Sequence, residues 1–189
     1  MNEREWVKSI IKKIEKSLKP FNSNLRVADG FRLPYASEVL TYNDDNPEQQ
    51  NFIRYETDIL IFEQLDDTKW KPRIIVEAKI NSVTTHDAIT YSQKAQTHKN
   101  VHPYLRYGIL IGNREDYPLP GRLFRHGQHF DFMFSWKSFE GDKSEWDTLI
   151  EILKSEYEAS LTLDEIILNS RSRNRKKFTS LHRPLKLKK

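Results

Sequence analysis

An α/β domain, a small mixed sheet flanked by helices, is the architecture this sequence predicts, and three features predict it. Apolar residues recur at helical spacing near both ends of the chain, at Trp6, Ile10 and Ile14 and again at Trp146, Leu149, Ile150, Leu153 and Tyr157. Between them lie short apolar runs of strand length, at 59–62, 74–76 and 107–111. Helix-start residues Thr84, Thr85 and Asp87 separate the second run from the third, so strand and helix alternate.

The elements follow in order. Residues 4–18 form a helix with Val7, Ile11 and Leu18 beside its apolar stripe, and Pro20 stops it. Phe31, Leu33, Tyr35, Val39 and Leu40 line a short strand and then part of a helix. The polar stretch 43–51, with a proline, reads as a loop. A strand over 53–63, a turn over 65–72 and a strand over 73–80, buried on both faces, come next. The helix from Thr84 runs to about residue 99 and buries Ala88, Tyr91 and Ala95. A strand over 107–111, a long loop over 113–128 and a strand over 130–136 precede two capping boxes. Ser144 with Asp147 opens a helix, and Thr162 with Glu165 opens a last one that runs into the tail.

The chain has 189 residues, enough for one core, and divides by composition into a domain over 1–170 and a basic extension over 171–189. Its net charge of +4 hides an asymmetry, because the extension holds nine Lys or Arg and no acid. The remaining 22 basic and 27 acidic residues leave the domain at −5. A basic tail attracts polyanions, DNA first among them; a solvated terminus and an acidic membrane surface are the alternatives. Disulfides and thiolate metal sites are excluded by the absence of cysteine. No apolar run reaches membrane-spanning length and the N-terminus lacks a signal-peptide core, so a cytoplasmic location is expected.

The chemistry concentrates between residues 57 and 79. Asp58 opens one apolar strand, and Glu77, Ala78 and Lys79 close the next. Buried charges need partners. Alternation along a strand puts Glu77 and Lys79 on one face. If the two strands are antiparallel neighbours, Asp58 sits near Glu77, and two adjacent carboxylates call for a cation between them. Magnesium takes such oxygen ligands, so Asp58, Glu77 and the backbone carbonyl near Ala78 are the candidate metal site. Lys79 is placed to hold or deprotonate an attacking water.

Thr57-Asp58 followed by Glu77-Ala78-Lys79 at the end of an apolar strand resembles the PD-(D/E)XK nuclease superfamily, with threonine in place of the nominal proline. The resemblance covers 38–112. It implies a restriction-endonuclease-like αβββαβ core, with Asp58 and Glu77 as metal ligands and Lys79 as the catalytic lysine. Glu38 falls where many members carry an upstream helical acid. Gln93 or Gln96 falls where some carry a helical glutamine. The implied activity is magnesium-dependent DNA endonuclease cleavage, with manganese as a substitute, by a restriction-type enzyme or its cleavage subunit. A homodimer or a partner subunit would supply the second active site for a duplex cut. The alternatives are a repair or recombination nuclease acting on DNA structure, and a non-catalytic DNA-binding subunit.

Further candidates for DNA contact are Arg114, Arg122, Arg125, His126, Gln128 and His129 in the long loop, where arginine and glutamine can read base edges. Arg171, Arg173, Arg175, Lys176 and Lys177 in the tail can meet phosphates. His98 and His102 lack a third metal ligand and read as polar surface residues at a helix end. Glu56 shares the strand face of Asp58 but reads as surface.

Overall fold

A computed structural model describes residues 1–115 and 118–188. Two further positions, 116 and 117, fall inside the predicted long loop and lie outside the described residues. The chain runs α1 (Glu3–Leu18), β1 (Leu25–Ala28), β2 (Arg32–Asn43), β3 (Asn46–Glu56), β4 (Ile59–Gln64), β5 (Trp70–Ile80), α2 (Thr85–Val101), β6 (Arg106–Gly112), α3 (Gly121–His126), β7 (Phe132–Ser135) and α4 (Lys143–Leu168).

Five strands form one mixed sheet in the order β1-β4-β5-β6-β7. The β1–β4 and β4–β5 pairs are antiparallel, and β5–β6 and β6–β7 are parallel. Helices cover both faces. Trp6, Ile10 and Ile14 of α1 and Leu149 and Leu153 of α4 pack on Ile59, Ile61, Val76 and Ala78. Ala88 and Ala95 of α2 pack on the opposite face, with Leu60, Ile75, Ile109 and Ile111. This two-sided burial is why β4 and β5 read as unbroken apolar runs instead of alternating ones. Gly112 lets Trp6 approach the end of β6, where a Cβ would lie 2.3 Å from the indole.

Several local expectations are corrected. Residues 43–51 are not a loop: β2 and β3 form a separate two-stranded hairpin. Its tight turn is made by Asp44, at φ 51°, and Asp45; acidic and amide side chains tolerate this conformation and disguise a hairpin as a loop. Glu38 is therefore on a strand, not a helix. The predicted strand over 53–63 is broken at Thr57–Asp58, where the chain leaves the hairpin and enters the sheet. Pro72 lies inside β5, and the register shift at Ile61/Phe62 accommodates it.

The N-terminal helix starts on Asn2, whose side chain forms a capping box with Glu5. In α4 the cap is Asp142 with Glu145, two residues before the predicted pair. That helix continues through Thr162, whose hydroxyl donates to the Glu158 carbonyl one turn back and so caps nothing. One short helix, α3, interrupts the predicted long loop. His98 is buried, not a surface residue. Its Nδ1–H donates to the Pro34 carbonyl at 3.2 Å, and its ring lies among Tyr35, Tyr55 and Tyr107. Burial pushes the imidazole down to about 4.

Candidate functional site

The site is built where β4 begins and β5 ends. Thr57 turns away from β5: its N–H donates to Phe31 O at 2.9 Å and its carbonyl accepts from Gly30 N–H at 3.0 Å. The β4–β5 ladder therefore starts only at Ile59 opposite Val76. Two residues further along β5, the Ala78 amide has no strand partner on that side. Asp58 supplies one: its Oδ2 accepts the Ala78 N–H at 2.8 Å. A strand residue's N–H and C=O point to the same side, so the Ala78 carbonyl also faces the Asp58 side of β5.

The neighbouring Glu77 projects onto the α2 face and is only 2% exposed. Lys94 of α2 donates to Oε1 at 3.3 Å and Oε2 at 3.1 Å, and the Tyr107 hydroxyl donates to Oε2 at 2.8 Å. Burial, reinforced by the Asp58 charge, pushes the Glu77 carboxyl up to about 7 despite these donors. The same contacts, burial foremost, hold the Tyr107 phenol well above its usual value, so it stays a neutral donor.

Lys79 lies on the same face as Glu77. Its Nζ donates to Glu3 Oε1 at 2.9 Å and sits 4.5 Å from the centre of the Tyr91 ring. Partial burial pulls the ammonium down, but the Tyr91 and Glu3 contacts outweigh it and the net shift is upward. Lys79 is thus a cationic donor at neutral pH.

The sequence candidates divide. Asp58 accepts the Ala78 amide and its charge acts on Glu77, while Lys79, on the Glu77 face of β5, pairs with Glu3. Glu38 does not join them: it is exposed, opposite Asn51, whose side-chain amide it accepts at 3.4 Å. It lies five residues up the hairpin from Glu56, roughly 17 Å at strand spacing. The helical acid that does reach the site is Glu3, in the first turn of α1. Gln93 is exposed and Gln96 donates to Asn100, so neither is bonded to the acids. Lys94 and Tyr107 take that place. Lys94 could have been found from its spacing, one turn after Tyr91 on the buried side of α2; Tyr107 and Glu3 carried no local signal.

Beside Asp58 a cavity opens, lined by Glu3, Arg4, Asp29, Gly30, Glu56 and Thr57. Arg114 donates to the carbonyls of Pro118 and Asn81, and Arg122 to that of Val83. Asn81 and Val83 immediately follow β5, so both arginines sit at the same end of the sheet as Lys79. Arg125 and Gln128 are exposed on and just after α3, with the Gln128 amide donating to Arg125 O. Arg171, Arg173, Arg175, Lys176 and Lys177 follow α4 in an irregular segment, where Lys176 pairs with Glu165 at 3.0 Å.

Hard oxygen donors from Asp58, Glu77 and Ala78 fit magnesium, and a dication beside Asp58 and Glu77 would relieve their mutual repulsion. Among the described residues no three His, Asp or Glu side chains cluster as a metal cage. The available set is two carboxylates and a carbonyl, which leaves magnesium's remaining positions to water and phosphate. No family model matches this sequence, and no curated protein matches it. Among the described residues no helix is long and apolar enough to cross a membrane.

Proposed function

We propose that this chain is a magnesium-dependent DNA endonuclease of the PD-(D/E)XK type, acting as a restriction-type enzyme or its cleavage subunit. The observation that carries the proposal is Asp58 capping the Ala78 amide beside a buried Glu77 whose carboxyl is pushed up to about 7. The element order supports it: α1, β1, β4, β5, α2 and β6 follow the helix-strand-strand-strand-helix-strand sequence of that core, with the β2–β3 hairpin inserted.

Asp58, Glu77 and the Ala78 carbonyl would hold magnesium, which when bound acidifies water and neutralises charge on the scissile phosphate. Lys79, kept cationic and aimed by Glu3 and Tyr91, orients the attacking water and faces the charge that builds on the phosphate. The Ala78 N–H fixes Asp58, so that carboxylate is positioned before substrate arrives. Arg122 and Arg125 supply contacts to base edges and the 171–177 cations supply contacts to phosphates. Attack is direct, with no covalent enzyme intermediate, and a second copy or a partner subunit supplies the other strand's cut.

The test is digestion of plasmid and phage DNA with magnesium, with EDTA, and with Asp58→Ala, Glu77→Ala and Lys79→Ala. Discrete bands from the native protein alone support a restriction-type enzyme. Cutting only of branched or single-stranded DNA moves the reading to a structure-directed nuclease. Normal cleavage by the Glu77 and Lys79 variants overturns the site. Two of the three acids already have a protein cation, Glu77 with Lys94 and Glu3 with Lys79, which favours a non-catalytic DNA-binding subunit as the second reading. DNA binding that EDTA leaves unchanged, without cutting, would select it.

A further inference from the structure

Lys94 has no part in the reaction above, yet it makes the closest ionic contact to the most buried acid of the site. Its Nζ lies 3.1 Å and 3.3 Å from the two carboxylate oxygens of Glu77 and 2.9 Å from the carbonyl of Glu56. The two side chains are 14% and 3% exposed, so the pair is shielded from solvent. Straddling both oxygens, the ammonium competes with a second cation for that carboxylate. It also has another seat. The rings of Tyr55 and Tyr91 have their centres 5.7 Å and 5.8 Å from Nζ, and a flexible four-carbon stem can carry the ammonium between a carboxylate and an aromatic face.

We propose that Lys94 is a resident counter-ion: it occupies Glu77 while no divalent cation is bound, yields the carboxylate when one enters, and so sets the metal threshold of the site. This rests on the magnesium-site reading above. The Glu56 carbonyl adds a consequence. Glu56 ends β3 just before Asp58, so the same ammonium ties the hairpin base to Glu77. Its departure loosens that joint as metal enters.

The experiment is calorimetric titration of the full chain with Mn²⁺ at pH 8, on the native protein and on Lys94→Met, Lys94→Arg and Asp58→Ala. Removing the competing charge should tighten Mn²⁺ binding by at least about tenfold in Lys94→Met. Arginine, whose fork engages both carboxylate oxygens, should bind Mn²⁺ no more tightly than the native protein. Lys94→Met should also melt lower than the native protein in EDTA and gain more on adding Mn²⁺. Lys94→Gln, which keeps a donor without the charge, carries the same affinity expectation and serves if the methionine variant does not fold.

Native binding that Asp58→Ala abolishes, with Lys94→Met and Lys94→Gln unchanged or weaker, overturns the counter-ion role and leaves the metal site standing. No Mn²⁺ binding by the native protein that depends on Asp58 overturns both, and makes Lys94–Glu77 a structural ion pair.

Discussion

Replacing Glu77 by glutamine should change how the metal-free protein's stability depends on pH. The folded state holds the Glu77 proton until about 7, against a usual 4.5. Between those values the folded chain binds more protons than the unfolded chain, so its stability falls as pH rises. The full loss is about 3 kcal/mol, at about 1.4 kcal/mol per pH unit of displacement, and is complete by pH 8. Glutamine cannot ionise and removes that slope.

His98 acts in the opposite direction. Its folded value of about 4 lies below the usual 6.5, so stability is lost as pH falls through that window, again by about 3 kcal/mol. Across pH 4.5 to 6.5 the Glu77 slope opposes that of His98, to which His102, also lowered by burial, adds, so the rise in native stability with pH is held down there. Glu77→Gln should instead climb over that window and then hold. Because His98 is common to both, the difference between the two proteins isolates Glu77. It should shift by about 3 kcal/mol in favour of the variant between pH 4.5 and 8. The measurement is urea unfolding in EDTA across that range. A difference that does not vary with pH would refute the reasoning, because the carboxyl would then ionise alike in both states.

Three further outcomes are expected. Glu3→Gln should lower cleavage about tenfold or more by releasing Lys79, while Glu38→Gln should leave the rate within about twofold; single-turnover rates on one plasmid compare them. Truncation after residue 170 removes nine basic residues and leaves a body of −5, so DNA binding should weaken and its salt dependence flatten, read by titration at several salt concentrations. Asp164→Ala leaves half-buried Lys71 without its acid and Arg73 with Glu63 alone, and should destabilise the protein by about 1–3 kcal/mol in chemical unfolding.

Much of the fold was legible because burial writes itself into periodicity. The α1 stripe, the apolar β4 and β5 and the α2 face each signalled their own packing. The hairpin was not legible because its outer half is exposed on both faces, Val39, Leu40 and Tyr42 included, so it carries no buried face to set a period of two. Asp58, Glu77 and Lys79 stood out as charges interrupting apolar strands. Glu3 gave no such signal: an acid in a first helical turn is ordinary capping chemistry, and only the tertiary fold brings it to Lys79. Tyr107 likewise reads as core until its hydroxyl is found on Glu77, since an aromatic ring in a buried strand needs no further explanation.

The two ends of β5 differ in how their charges balance. At the entry, Arg73 and Lys71 meet Glu63 and Asp164, two cations against two carboxylates. Arg73 donates to both acids, and α4 is thereby fastened to the sheet. That cluster is complete, and its work is mechanical. At the exit, Lys79 and Lys94 meet Glu3, Glu77 and Asp58, two cations against three carboxylates. The acid left without a cation is Asp58, beside a buried Glu77 whose carboxyl is pushed up to about 7. A buried charge cluster that served stability alone would have no reason to keep that imbalance, because a neutral residue at position 77 or 58 would remove it. A cation arriving from solution would remove it as well, and that is the argument on which the proposed magnesium site rests.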